Sequence, residues 1–179
     1  IEIALDTFGA PYVVKHDGLA AGKGVVVTND RDEARTHALQ SPRVVIEEYL
    51  DGPEVSLFGI SDGTTVIPMQ PAQDFKRAND GDKGLNTGGM GAYSPLPWAP
   101  RNIEEEVLQN VLQPTINTIA KRGTPFVGLL YAGLALTSKG IRVIEFNARF
   151  GDPETEVLLP RLETPLAQLL YAAATKSLN

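Results

Sequence analysis

The sequence predicts an α+β fold in which largely antiparallel sheets are covered by helices on one side. Three observations lead there. Strand-like segments outnumber helical ones, consecutive strand segments are joined by short turn signals, and 179 residues with 42% hydrophobic content suffice for one sizeable core or two small lobes sharing a cleft.

The opening IEIALDTFG reads as a leading helix. Pro11 to Lys15 and Gly24 to Thr28 are β-branched runs on either side of a glycine-rich stretch, which predicts strand, glycine loop, strand. Asp30 with Glu33 three residues on has the form of a capping box for a short helix, Arg31 to Gln40, stopped by Ser41-Pro42. A strand is predicted over Arg43 to Leu50. After the turn Asp51-Gly52-Pro53, Val55 to Ile60 and Thr64 to Met69 read as strands paired around Asp62-Gly63.

Between Gln73 and Pro100 the chain turns rich in Gly, Asp, Asn and Pro without apolar periodicity, which predicts a long functional loop. Asn102 is the expected cap of a helix from Ile103 to Arg122, kinked by Pro114 and ended by Gly123. Strands over Gly128 to Thr137 and Gly140 to Asn147 flank the turn Ser138-Lys139-Gly140. A helix over Thr164 to Leu178 follows. These elements divide as a leading helix or hinge remnant (1–10), a small lobe (11–53) and a larger lobe (54–179).

Composition narrows the function. A formal charge of −6 disfavours a general nucleic-acid surface, which needs clustered cations to displace counterions. With no cysteine, disulfides, thiolate catalysis and Cys-ligated zinc are excluded. Neither a signal peptide nor a membrane span is read, so the protein is expected in the cytoplasm, with no membrane or nucleic-acid partner.

Four segments carry candidate chemistry. VVKHDGLAAGKGVVV sets Lys15 and Lys23 around Gly18, Gly22 and Gly24, small residues that let backbone N–H groups approach an anion; a plain hairpin with exposed lysines is the alternative. It is not a Walker loop, because Lys23 precedes Gly24 rather than Ser or Thr. RVVIEEYLDGPE places Glu47, Glu48, Tyr49, Leu50 and Glu54 where carboxylates and backbone groups meet a base and ribose, or simply form a solvated strand end.

AQDFKRANDGDKGLNTGGMGAYSP combines Lys76 and Arg77 with Asn86, Thr87, Gly88, Gly89 and Gly91, donors suited to phosphate or carboxylate; a disordered linker is the alternative. In IRVIEFNARFGDPE, Glu145 and Asn147 share a strand face, and Arg149 joins them if the strand persists. Glu and Asn oxygens suit magnesium. A charged surface strand is the alternative. The turn that follows adds Asp152 and Glu154, His16 reads as a solvated loop residue and His37 as structural.

In this order VVKHDGLAAGKGV, VVIEEYLDGPE, QDFKR, NTGGMGAYSP, GLLYAGL and VIEFNARFGDPE resemble the phosphoribosylamine-glycine ligase branch of the ATP-grasp superfamily, through nearly the whole chain. The resemblance implies two lobes enclosing a nucleotide cleft. It further implies ATP as co-substrate, glycine and phosphoribosylamine as substrates, Mg2+ or Mn2+ as cofactor and an acyl phosphate as intermediate.

By motif, Lys15 resembles the lysine on the phosphates, while Gly22, Lys23 and Gly24 belong to the mobile loop over them. Glu47 to Leu50 resemble the adenine-reading hinge, Glu54 the ribose acid, and Glu145 and Asn147 the metal pair. Asp74, Lys76, Arg77, Asn86 to Gly91, Arg149 and Asp152 resemble the substrate pocket, with Lys76 and Arg149 in catalytic roles. Phe75 stands where many relatives have His, and Leu85 where many have Pro. The strand LLYAGLALT lacks the additional acidic ligand of many ATP-grasp enzymes, which leaves two protein ligands. The family's N- and C-terminal domains are missing partners of this stretch.

Overall fold

The computed structural model describes residues 1–18, 24–81 and 83–178. The chain divides into two compact units, residues 1–51 and 52–179.

The first unit runs α1 (Glu2–Phe8), β1 (Tyr12–His16), β2 (Val25–Thr28), α2 (Arg31–Leu39) and β3 (Val44–Glu47). Its strands form an antiparallel sheet in the order β2-β1-β3. Period-2 alternation divides the side chains. Tyr12, Val14, Val26, Val44 and Ile46 pack with Leu5, Ala34 and Ala38 of the helices. Lys15, Val25, Val27, Val45 and Glu47 hold the opposite alternation.

The cap of α2 differs from a reciprocal capping box. Asp30 Oδ1 accepts from Asp32 N at 2.8 Å and Glu33 N at 3.2 Å. The Glu33 carboxylate, however, accepts from the Thr28 hydroxyl, whose oxygen accepts from Asp30 N at 3.0 Å. Thr28 thereby satisfies the donor that Glu33 was expected to take.

The second unit is built on an antiparallel sheet in the order β11-β10-β4-β5, from β4 (Glu54–Asp62), β5 (Val66–Pro68), β10 (Val127–Thr137) and β11 (Gly140–Asn147). Here the expectation of helices on one side is corrected. Val55, Leu57, Leu130, Ala132 and Leu134 pack with Ile103, Val107, Leu112 and Ile116 on one face. Phe58, Ile60, Leu129 and Tyr131 pack with Leu158, Ala173 and Leu178 on the other. The cause is β4 itself, which is buried from Val55 to Asp62 and has two apolar faces to cover.

The helix expected over Ile103 to Arg122 is three pieces: α3 (Ile103–Val107), a π turn (Leu108–Leu112) and α4 (Gln113–Lys121). Pro114 has no N–H for the carbonyl four residues back and its ring crowds that carbonyl, so the turn before it widens. Asn102 sits at the N-cap without a side-chain capping bond, and Gly123 follows at φ 84°.

The stretch from Gln73 to Tyr93 is more ordered than its composition suggests. β6 (Gln73–Asp74) pairs with β9 (Ala92–Tyr93), and β7 (Arg77–Asn79) with β8 (Lys83–Asn86). Between them Phe75 N bonds Gly91 O at 2.9 Å, Met90 N bonds Phe75 O at 2.7 Å and Thr87 N bonds Lys76 O at 2.7 Å. The two arms thus form one ribbon. The chain ends with α5 (Glu154–Leu158) and α6 (Leu166–Ala174). α5 begins inside the expected turn Arg149 to Glu154. Among the described residues no helix is long and apolar enough to cross a membrane.

Candidate functional site

In the first unit the solvent-side alternation of the sheet is unusual. Val25, Val27 and Val45 are 40%, 49% and 45% exposed, and beside them Lys15 and Glu47 form an ion pair. A lysine flanked by exposed valines offers an apolar surface next to a cation, which suits a ligand with a flat apolar part and an anionic part. Glu48 and Tyr49 are exposed and Leu50 is half-buried in the segment after β3. Gly24 receives two bonds at its carbonyl, from His16 N at 2.8 Å and from His37 Nε2 at 3.1 Å. Lys23 and Gly22, expected in the phosphate loop, lie outside the described residues.

The expectation of a solvated loop histidine at position 16 is corrected. His16 ends β1, its ring stacks on His37 with centroids 4.1 Å apart, and its Nε2 meets the His37 carbonyl at 3.1 Å. The strand carries one residue further than the pattern indicates and tucks the ring against α2.

In the second unit the sheet register assembles the other candidates. Ser56, Gly133 and Glu145 are partners across β4, β10 and β11, and Phe58, Tyr131 and Asn147 form the next such row. Glu145 therefore rises from an edge strand beside a residue without a side chain. A Cβ on Gly133 would sit 3.1 Å from Glu145 Cγ, so the glycine makes room for the carboxylate. Asn147 Nδ2 lies 3.2 Å from Glu145 Oε1, which joins the two expected metal residues on one face.

An isolated bridge from Ser56 to Ala72 then brings the ribbon over that face. Glu54, Ser56, Asp74, Lys76, Tyr131 and Glu145 line a common pocket. Lys76 Nζ bonds Glu54 Oε2 at 2.9 Å. Burial pushes the Lys76 ammonium down, but the Glu54 charge and hydrogen bond, helped by Asp74 and Glu145, hold it above the ordinary lysine value. The Asp74 carboxyl is pushed up to about 6, by burial first and then by Glu154 and Glu54, against Lys76. Among the described residues its buried Oδ1 has no hydrogen-bond partner. One lysine among three carboxylates makes this pocket a receptor for cationic or N–H-bearing groups.

The remaining expected residues stand around the rim. Thr87 anchors its loop through its hydroxyl, which donates to Lys76 O at 2.9 Å and accepts from Gly89 N at 3.1 Å. Gly89 has φ 133°, and a Cβ there would strike Pro153 Cδ at 2.5 Å, so the loop from Asn86 to Gly91 closes onto the Asp152-Pro153 turn only with glycine at that position. Gly88 and Met90 are exposed, as is Asp152. Arg77 is turned along its hairpin, with Nη1 on Gly84 O at 3.0 Å. β11 stops at Asn147, before Arg149, yet the Arg149 guanidinium lies 6.0 Å from the centre of the Tyr131 ring.

Sequence reasoning misses Ser56 and Tyr131, which read as ordinary strand residues, and gives Glu154 no defined role. Their signal is a polar residue at an inward position of an apolar strand, visible only once both faces of β4 are known to be buried.

Two oxygen ligands on one face fit a hard divalent cation. Among the described residues no group of three His, Cys, Asp or Glu side chains forms a metal cage, so an ion on Glu145 and Asn147 requires further ligands from a bound anion and water.

The architecture is that of the ATP-grasp fold. It superposes on the biotin carboxylase domain of 2-oxoglutarate carboxylase from Hydrogenobacter thermophilus, crystallised with MgADP, ADP and bicarbonate, with TM-score 0.68 and 14% identity over 97% of this chain and 38% of that one. Residues 1–155 match the family described as phosphoribosylglycinamide synthetase, ATP-grasp (A) domain, and the chain belongs to that family. It is 70% identical over 178 residues to the phosphoribosylamine–glycine ligase of Streptomyces coelicolor, covering 99% of this chain and 43% of that protein. The crystal structure of phosphoribosylamine–glycine ligase from Thermotoga maritima superposes with TM-score 0.89 and 30% identity, over 99% of this chain and 47% of that one. The chain thus spans less than half the length of these relatives.

Proposed function

We propose that this segment is the ATP-grasp part of a cytoplasmic ligase that joins glycine to 5-phosphoribosylamine, giving glycinamide ribonucleotide, ADP and phosphate. The observation that carries it, beside family membership, is the pocket on the second unit, where Lys76 stands among Glu54, Asp74 and Glu145 with one buried acceptor of Asp74 unpartnered. A pocket of that charge receives an amine-bearing substrate and a cation-bound phosphate.

The stretches 11–53 and 54–179, which follow the leading helix 1–10 in sequence, each supply residues for ATP. The base lies against the exposed valines and the segment Glu47 to Leu50, Glu54 takes the ribose hydroxyls, and Lys15 exchanges Glu47 for the phosphates. Gly22, Lys23 and Gly24 are assigned to the same phosphates by their motif. Glu145 and Asn147 hold Mg2+ or Mn2+, which when bound neutralises phosphate charge.

A glycine carboxylate oxygen attacks the γ-phosphorus and ADP leaves. The amine of phosphoribosylamine then attacks the acyl carbon, phosphate leaves and an amide remains. Arg149 and Lys76 stabilise charge on the transferring group, and Asp74, Arg77, the loop from Asn86 to Gly91 and Asp152 bind the substrates. No protein nucleophile is required, because positioning and electrostatics supply the catalysis. Phosphoribosylamine also contacts domains of the whole ligase outside this stretch.

Calorimetric titration of MgATP, with Lys15→Ala as control, tests the nucleotide site, first on this chain and then on the full-length protein. Glycine-dependent ADP formation by the full-length protein tests the reaction. Binding that survives in Lys15→Ala sinks the phosphate assignment, and ADP formation that prefers another carboxylic acid sinks the glycine assignment.

A further inference from the structure

Beneath the pocket lies a carboxylate that the proposed reaction does not use. Glu154 is 1% exposed, and ions that deep in a protein are retained only with strong hydrogen-bond compensation. Two hydroxyls provide it. Ser56 Oγ and Tyr131 OH each donate to Glu154 Oε1 at 2.8 Å, and the two hydroxyl oxygens are themselves 2.8 Å apart. Both come from the backbone-locked centre of the sheet, β4 and β10.

Space for the carboxylate is built in. A Cβ on Gly151 would meet Glu154 Oε2 at 2.4 Å and Phe58 Cζ at 2.8 Å. Burial, with the Glu154 charge adding to it, pushes the Tyr131 hydroxyl up from its ordinary value, so it stays protonated and remains a donor. The face of the same ring lies under Arg149.

Ser56 and Tyr131 are the hydroxyl-bearing residues among those lining the pocket, and Glu154 accepts a hydrogen bond from each. Among the described residues no donor reaches Asp74 Oδ1, which is buried. The same Ser56 fixes the approach of Asp74 through the backbone, because Ser56 N bonds Ala72 O at 2.8 Å and Ala72 N bonds Ser56 O at 2.9 Å, two residues before Asp74. An unsatisfied buried acceptor is costly until a donor arrives.

We propose that Glu154 is the positioning residue of this pocket: by holding the hydroxyl protons of Ser56 and Tyr131 it keeps Asp74 open as the acceptor for a substrate N–H. The proposal rests on the reading of this pocket as the substrate pocket. It assigns Glu154 no contact with substrate. Its influence passes through two hydroxyls and one β-bridge.

The test uses the full-length ligase with Glu154→Gln and Tyr131→Phe, measuring calorimetric MgATP affinity, KM for glycine and for phosphoribosylamine, and the pH dependence of kcat/KM. Glu154→Gln keeps MgATP affinity and raises KM for one of the amine-bearing substrates about tenfold, the scale of one hydrogen bond to a charged group. Its acid limb also moves below that of the wild type. The groups facing Asp74 are Lys76, Glu54, Glu154, Tyr131 and Glu145, and removing the Glu154 charge removes one that pushes Asp74 up. Asp74→Asn abolishes that limb.

Tyr131→Phe keeps the ring in the core, deletes one proton and raises the same KM by a smaller factor, which decides the matter if Glu154→Gln does not fold. Wild-type KM values with an unmoved acid limb in the variants overturn the positioning role and leave the ligase reading intact. A wild-type protein without glycine-dependent ADP formation overturns both.

Discussion

Lys76 Nζ stands 2.9 Å from Glu54 Oε2, an ion pair across 22 residues that ties the ribbon to the first residue of β4. Its side chains are 40% and 57% exposed, so the pair adds at most about 1 kcal/mol to stability. Its importance is electrostatic, since Lys76 is the cation of the pocket. Lys76→Met is expected to lower kcat/KM of the full-length enzyme about 100-fold or more, the usual loss when a group facing developing charge is removed. The melting temperature should move by only a few degrees. A large drop in melting temperature with nearly normal kcat/KM would reverse that assignment.

On the edge strand Glu145 is exposed and Asn147 half-buried, with Asn147 Nδ2 3.2 Å from Glu145 Oε1. Neither supports the core, so substitution there should leave stability within about 0.5 kcal/mol. Glu145→Gln is expected to weaken Mn2+ binding to the ATP complex about tenfold or more, followed by electron paramagnetic resonance, with a matching rise in the metal needed for turnover. Unchanged Mn2+ binding would remove Glu145 from the metal site.

Local pattern carried some of this and missed the rest for identifiable reasons. The runs Val25 to Thr28 and Val55 to Ile60 declare strands through β-branched and aromatic residues, and Asp30 declares a cap through its spacing to Glu33. The two-residue spacing of Glu145 and Asn147 declares a shared face. By contrast, Glu54, Asp74, Lys76 and Glu145 meet through the register of Ser56 with Gly133 and of Gly133 with Glu145, and through the bridge to Ala72. No short window contains those pairings. The ribbon from Gln73 to Tyr93 escapes notice because strands of two to four residues are too short to display an apolar alternation. Glu154 follows Asp-Pro, which reads as a turn, and only the tertiary packing of α5 shows that its carboxylate is inside.

Asp62 ends β4 and organises the hairpin after it. Its Oδ1 accepts from Thr64 N at 2.9 Å, Thr64 Oγ1 at 2.8 Å and Thr65 N at 2.7 Å. Burial pushes the carboxyl up, but the backbone donors of Thr65 and Thr64 and the Thr64 hydroxyl outweigh it and hold Asp62 below its ordinary value. A depressed folded-state pKa stabilises above the unfolded value and is lost as pH falls through the folded one. Asp62→Ala should therefore cost about 2 kcal/mol at pH 7, because it strands the N–H groups of Thr64 and Thr65. The difference from wild type, followed by urea denaturation, should shrink as pH falls below the ordinary aspartate range. A difference independent of pH would show that the charge is not what the hairpin uses.

Asp74 runs the other way. Its carboxyl is pushed up to about 6, with burial as the leading cause. A raised carboxyl favours the folded state most below its unfolded value, and that contribution is lost as pH rises through about 6. At pH 7 the folded protein therefore carries a half-buried charge whose Oδ1 has no partner. Asp74→Asn should stabilise the protein at pH 7 by about 1 kcal/mol once solvent screening is allowed for. Little of that gain should remain at pH 4, where the wild-type group is already neutral in the folded state. The same variant should lose most, but not all, of its glycine-dependent turnover, since the amide no longer offers a carboxylate to a substrate amine. More stable and less active is the signature of a residue kept for chemistry rather than for the fold. Denaturation at the two pH values with a single activity assay checks it, and a destabilised Asp74→Asn with normal turnover would mean that Asp74 serves the ribbon rather than the substrate.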